Sequence, residues 1–233
     1  MKKGLIYVIG GGELGLRETY EIDKHLVSLV EKNNPKILFI PTASHDAADY
    51  VRAFEWIYGE FTKNIKALYL YDDPSPKEVA SLIKWADIIY VGGGVTRELL
   101  LMFKAFGVGP LLKKAYQSGT ILAGLSAGLN CWFKRAYVDN PVKDPRFKAF
   151  DFVDGLGFLP YASTPHYNFP ERQSFDEALE QENLVGYAVE DQVALLFQNG
   201  KLIGNWKSYG CTDQHAYFLA YDKKGKLVKT QVA

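Results

Sequence analysis

Through the first 135 residues, short apolar runs alternate with stretches of helical periodicity. Leu5–Ile9 and Lys36–Ile40 read as buried strands, as do residues 67–71, residues 87–91 and the run from Thr120 toward Ser126. Between them, Ile22, Leu26, Val27 and Val30 share one face of a helix predicted over 19–32. Further helices are expected over 47–61, 76–86, 96–106 and 110–117, the one over 76–86 started by Ser75 ahead of Pro76. Strands separated by single helices imply βαβ units and a parallel sheet. Right-handed crossovers then place helices on both faces. The pattern predicts a three-layer, doubly wound, mostly parallel α/β fold.

Beyond residue 135 the pattern changes. Residues 139–145 are turn-forming, 152–159 hold a glycine-punctuated strand, and 171–183 suit a helix. From Val185 onward short strands are joined at Gln198-Asn199-Gly200-Lys201 and at 222–226, both hairpin-like. No linker or internal repeat interrupts the chain. One domain over 1–233 is expected, with a small antiparallel C-terminal extension.

Composition narrows the function. The chain carries 27 basic and 27 acidic residues with no long basic run, which disfavours nucleic acid as a partner. Hydrophobic residues at 48% and charged ones at 23% are ordinary for a globular chain, so disorder is not expected. Cys131 and Cys211 show neither metal-ligand spacing nor a disulfide framework, which suits a reducing cytoplasm. The apolar stretch after Lys3 ends at Ile9, before Gly10-Gly11-Gly12, too short for a signal peptide. Nothing approaches a transmembrane length. The expectation is a cytoplasmic protein with no cofactor, no metal and no membrane partner, either monomer or homodimer.

Chemistry concentrates at Gly124-Leu125-Ser126-Ala127-Gly128, between an apolar strand and a short helical segment. That is the setting of a nucleophile elbow, in which a sharp strand-to-helix turn exposes a serine hydroxyl. A glycine-flanked turn that merely packs closely is the structural alternative. The N–H of Ala127 can point at a developing oxyanion, and the loop Gly92-Gly93-Gly94 can bring a second N–H to the same place. Neither triglycine has the sequence of a dinucleotide-binding or P-loop phosphate site.

A triad-like mechanism needs a histidine base near neutrality. His25 lies in a helix, while His45 and His215 suit peripheral or structural positions. His166, after an extended proline-containing segment, is the candidate base. For the acid, Asp139 lies between serine and histidine in sequence, giving the order Ser–Asp–His. Asp144, Asp151, Glu190 and Asp191 compete with it. A serine esterase of the α/β-hydrolase type and a non-catalytic ligand-binding protein are the alternatives. The late position of the elbow disfavours the first, and an intact Ser/His pair the second.

Gly10-Gly11-Gly12-Glu13, Leu38-Phe39-Ile40-Pro41-Thr42-Ala43-Ser44, Val91-Gly92-Gly93-Gly94, Gly124-Leu125-Ser126-Ala127-Gly128 and Pro165-His166-Tyr167 occur in one order over nearly the whole chain. Together they resemble the dipeptidase E and cyanophycinase family of serine peptidases. The resemblance implies a class I glutamine amidotransferase-like fold with a serine nucleophile at Ser126 and a base at His166. It also implies an oxyanion hole from Gly93, Gly94 and Ala127. Asp139 matches the acidic position only with a short gap. The implied substrate is a short peptide with an N-terminal aspartate, whose carboxylate needs a cation, and Arg172 is the candidate. One departure is Val95, where family members carry asparagine.

Overall fold

In the computed structural model, which describes residues 4–142 and 149–233, the apolar runs become β1 (Leu5–Ile9), β2 (Lys36–Ile40), β3 (Asn64–Ala67), β4 (Ile88–Val91) and β5 (Ile121–Leu125). The helices that alternate with them are α1 (Tyr20–Ser28), α2 (Ala48–Tyr58), α3 (Pro76–Trp85), and the pair α4 (Thr96–Ala105) and α5 (Val108–Gln117). The short α6 (Ala127–Cys131) follows β5 directly. The chain continues through β6 (Phe133–Asp139), β7 (Phe150–Asp154), β8 (Leu159–Thr164), α7 (Phe175–Glu182) and β9 (Gly186–Val189). It ends with β10 (Val193–Gln198), β11 (Lys201–Lys207), β12 (Ala216–Tyr221) and β13 (Leu227–Gln231).

Strands β3-β2-β4-β5-β1 lie side by side and parallel, and β10 then β11 extend the sheet antiparallel beyond β1. Side chains alternate across a strand, so each run feeds two cores. Tyr7, Ile9, Ile37, Phe39, Ile88 and Tyr90 face α1 and α2, meeting Ile22, Leu26, Val51 and Phe54. Ile6, Val8, Leu38, Ile40, Ile89 and Val91 face the other way, toward Val79, Leu99, Phe103 and Leu112 of α3, α4 and α5. Runs buried on both faces are what a parallel sheet requires, and the two-sided helical cover matches the predicted class.

The C-terminal part is larger than a small antiparallel extension. Among the described residues of this part, β10 and β11 join the first sheet and the other strands build a second, six-stranded sheet in the order β13-β12-β9-β8-β6-β7. Within it β6, β8 and β9 run parallel, and the remaining pairs are antiparallel. Phe133, Leu159, Tyr187 and Val189 turn from this sheet into the core shared with α3 to α5, while Phe175 and Leu179 of α7 cover its other face.

Three element predictions shift. The strand expected over 67–71 lies earlier, at β3, whose register pairs Asn64 with Lys36. An edge strand buries little, so its polar Asn-Ile-Lys-Ala sequence is tolerated, while Leu68 and Leu70 bury in the layer that holds Val79 and Ile83. The strand expected over 152–159 splits into β7 and β8 around a loop tied by Leu156 N–H to Cys131 O at 2.8 Å. The helix expected from 171 begins as a 3₁₀ turn, Pro170–Ser174, before α7. Among the described residues no helix is long and apolar enough to cross a membrane.

Candidate active site

Ser126 stands between β5 and α6 with φ 54° and ψ −106°, a conformation that L-residues rarely adopt. Such a residue costs roughly 1–3 kcal/mol and persists only where the surroundings over-determine it. They do so here. Ser126 N–H donates to Ile9 O of β1 at 3.0 Å, and its carbonyl accepts from Asn130 N–H at 3.0 Å. The flanking glycines allow the crowding: a Cβ on Gly124 would stand 2.2 Å from Gly128 O, and one on Gly128 would stand 2.1 Å from Val91 O. Close packing and serine exposure are therefore one device.

His166 follows β8, the strand of the second sheet, and also has positive φ, at 55°. Its Nε2 lies 2.8 Å from Ser126 Oγ. Its Nδ1 lies 2.5 Å from Asp191 Oδ1. An ionised carboxylate only accepts, so the ring proton sits on Nδ1 and Nε2 is left to accept from the serine hydroxyl. Asn168 holds the carboxylate from behind: its Nδ2 donates to Asp191 Oδ2 at 3.3 Å, and Asp191 N–H donates to its Oδ1 at 3.0 Å. The Phe169 ring stacks on the imidazole with centroids 5.7 Å apart.

Asp191 reaches this place through sheet pairing. It lies in the turn from β9 to β10, where the chain crosses from the second sheet to the first. Since β10 is antiparallel to β1, with Ala194 opposite Ile9, the start of β10 lies at the carboxyl end of β1. Gln192 N–H donates to Gly11 O at 2.9 Å and Gly10 N–H to Val193 O at 2.9 Å. A Cβ on Gly11 would fall 1.9 Å from Asp191 Oδ1 and 2.5 Å from His166 Nδ1. The first triglycine thus makes room for the histidine–carboxylate pair.

Asp139, expected as the acid, is elsewhere. Its carboxylate receives both its bonds from Arg172 Nη2, at 3.0 and 3.2 Å, at the end of β6. Arg172 is likewise not among the residues lining the Ser126 cavity: its side chain is buried, donates to Tyr137 O at 3.3 Å, and lies over the Phe150 ring at 4.4 Å. The pair fastens the end of β6 to the turn before α7. Asp151 is engaged with Arg97 and Asn140, and Glu190 accepts from His215 N–H at 2.8 Å. Asp144 lies outside the described residues. The signal that could have found Asp191 was its position at a strand end, which sequence order had outweighed.

Ser126 and His166 open into a cavity of about 520 Å³, also lined by Gly93, Gly94, Leu125, Tyr50, Leu14, Glu13 and Asp49. Gly93 packs against the nucleophile: a Cβ there would come 3.5 Å from Ser126 Cβ. Its N–H donates to Tyr50 Oη at 3.1 Å. Burial pushes the Tyr50 phenol up to about 12, so it stays a neutral hydroxyl. Ala127 N–H is the first of α6, one of the donors with no intrahelical acceptor. Val95 is not among the lining residues; it caps α4, with its N–H on Ala43 O at 2.7 Å. The described residues contain no group of three or more His, Cys, Asp or Glu side chains suited to a metal ion.

A serine on a strained strand-to-helix turn, in line with an imidazole and a carboxylate at the carboxyl end of a parallel sheet, defines a serine hydrolase on an α/β scaffold. The comparisons narrow that class. The model of peptidase family S51 matches residues 6–204. The uncharacterized peptidase YgaJ of Bacillus subtilis is 32% identical over 201 residues, covering 84% of each chain. Peptidase E of Shewanella denitrificans is 28% identical over 207 residues, 80% of this chain and 83% of that one. The crystal structure of a peptidase from an acI-B1 Actinobacterium superposes with a TM-score of 0.73 at 21% identity, over 99% of this chain and 94% of the other. The chain belongs to peptidase family S51. It is a serine-type peptidase.

Proposed function

We propose that the chain hydrolyses short peptides as an exopeptidase, through an acyl-enzyme on Ser126 with His166 as base and Asp191 as the orienting acid. The carrying observation is the unbroken line from Ser126 Oγ to His166 Nε2 at 2.8 Å and from Nδ1 to Asp191 Oδ1 at 2.5 Å. His166 takes the hydroxyl proton as Ser126 attacks the peptide carbonyl, and returns it to the departing amine. Asp191 keeps the imidazole in the tautomer this requires and stabilises its charged form. Ala127 N–H and the Gly93–Gly94 backbone face the developing oxyanion, each such donor contributing about 3 kcal/mol. Gly93 N–H joins them when it leaves Tyr50 Oη. Water then enters the same site and releases the acyl group.

The finer reading, a preference for an N-terminal aspartate, depended on Arg172, which is held by Asp139. Among the described residues lining the cavity, the side chains ordinarily ionised at neutral pH are the two carboxylates Glu13 and Asp49. An aspartate side chain entering beside them meets like charge, so neutral or basic N-terminal residues are the better substrates. The test is release of free amino acid from dipeptides beginning with Asp, Leu, Ala or Lys, by wild type and Ser126→Ala side by side. Ser126-dependent cleavage with Asp-X below Leu-X supports this reading. Strong selectivity for Asp-X would overturn the charge argument, and Ser126-independent cleavage would overturn the nucleophile.

A further inference from the structure

The active-site chemistry leaves both cavity carboxylates, Glu13 and Asp49, without a task, and Glu13 is the one with no side-chain partner among the described residues. Its backbone is anchored: Glu13 N–H donates to Glu18 Oε2 at 2.7 Å, and its carbonyl accepts from Leu16 and Glu18 N–H at 3.2 Å each. Its side chain is not. The Glu13 carboxylate takes no hydrogen bond or ion pair from the described residues, whereas Asp49, the other lining acid, is paired with Arg52. Glu13 stands two residues after Gly11, which packs against His166 and Asp191, and its negative charge is among the causes that raise the Tyr50 phenol. Tyr50 in turn holds Gly93 N–H beside Ser126. A fixed backbone, an open carboxylate and one shared cavity thus bring an uncompensated negative charge to the nucleophile's side of the site.

We propose that Glu13 reads the free α-ammonium group of the substrate and so makes the enzyme an aminopeptidase-type exopeptidase. The inference rests on Ser126 as the nucleophile. In a peptide cut after its first residue, the α-nitrogen sits on the carbon next to the carbonyl that Ser126 attacks. The group that reads it must therefore lie in the nucleophile's own cavity, as Glu13 does. The ammonium of a lysine side chain would stand several bonds farther out. A free peptide amine titrates near 7.7–8.0, so it is mostly cationic at pH 7 and forms a charge-assisted hydrogen bond with a carboxylate. Acetylation removes that charge and places an acyl group where the carboxylate waits.

The experiment compares leucine p-nitroanilide, its N-acetyl derivative and lysine p-nitroanilide on wild type, Glu13→Gln and Glu13→Asp. A fluorophosphonate probe reports Ser126 reactivity in each, and thermal melting reports folding. Wild type is expected to favour the free amine at least a hundredfold in kcat/KM. Glu13→Gln is expected to erase roughly tenfold of that preference through KM on both free-amine substrates, with kcat and probe labelling kept. Glu13→Asp is expected to retain part of it. An unchanged preference in Glu13→Gln overturns the assignment, and a loss confined to the lysine substrate means that Glu13 reads a side chain instead. If wild type itself fails to label, the nucleophile reading falls and this one falls with it.

Discussion

His166 Nδ1 meets Asp191 Oδ1 at 2.5 Å across the point where the chain leaves the second sheet for the first. The pair joins two elements that neither sheet could align alone: β8 sets the histidine, and the pairing of β10 with β1 sets the aspartate. Asn168 then locks the carboxylate by a reciprocal pair of bonds. The geometry separates two carboxylates that sequence order had confused, so their variants differ in kind. Asp191→Asn leaves an amide beside the imidazole and favours the wrong tautomer. It lowers kcat by roughly 10³–10⁴ with little change in melting temperature.

Asp139→Asn acts on stability instead. It leaves the buried Arg172 guanidinium facing an amide at the end of β6, with the Tyr137 carbonyl and the Phe150 ring as its remaining partners. The Asp139 side chain is 40% exposed, so solvent screens part of the loss, and about 1–3 kcal/mol is expected. Urea unfolding shows it as a lower midpoint, while kcat/KM per folded molecule stays within a few-fold of wild type. A kcat collapse in Asp139→Asn with Asp191→Asn active would restore the order Ser–Asp–His.

Ser126→Ala tests the nucleophile most directly. The alanine keeps the Cβ that the elbow already accommodates and both backbone bonds, to Ile9 O and from Asn130 N–H. Turnover falls by roughly 10⁴ or more while the fold persists. Single-turnover peptide cleavage measures the first, and an unchanged far-ultraviolet circular dichroism spectrum the second.

Gly11→Ala carries a steric prediction. The added Cβ overlaps Asp191 Oδ1 and crowds the His166 ring, so the carboxylate or the imidazole must move. A shift of about 1 Å in such a line costs roughly 10²-fold in rate. The variant therefore loses far more kcat than stability, and a titration of fluorophosphonate labelling rate against pH shows a less reactive Ser126.

Those outcomes bear on what the residues alone could disclose. The strands β1, β2, β4 and β5 were legible because each is buried on both faces and reads as a continuous apolar run. The elbow was legible because a strand, a tight turn and a helix start are all local. Strand β3 was not, since a sheet edge asks little of its side chains and the apolar Leu68 and Leu70 beyond it bury elsewhere. The acid was not, because Asp191 depends on an antiparallel pairing between residues 194 and 9 that no local pattern records. Of the second sheet, β6 was not read as a strand at all and the rest only as short strands, its parallel core of β6, β8 and β9 being a tertiary fact.

The last prediction concerns Asp23, which is fully buried among Tyr58, Tyr90 and Tyr7, with Tyr58 Oη donating to it at 2.7 Å and Thr19 Oγ1 at 2.8 Å. Burial raises this carboxyl to about 7, against the opposing effect of the two hydroxyl bonds. In the unfolded chain an aspartate ionises near 3.9. Between those values the unfolded state has released a proton that the native state keeps, so rising pH favours unfolding. The contribution is therefore fully present below about pH 4, is lost progressively up to about pH 7, and is flat above. Its size is about 4 kcal/mol at most. Asp23→Asn removes the proton exchange but keeps the shape, so the fall in stability between pH 4.5 and 7.5 is smaller in the variant. Urea midpoints of both proteins at the two pH values measure the difference, in which the other titrating groups cancel. Equal slopes would mean that Asp23 titrates at an ordinary pH, through hydrogen bonds strong enough to overcome its burial.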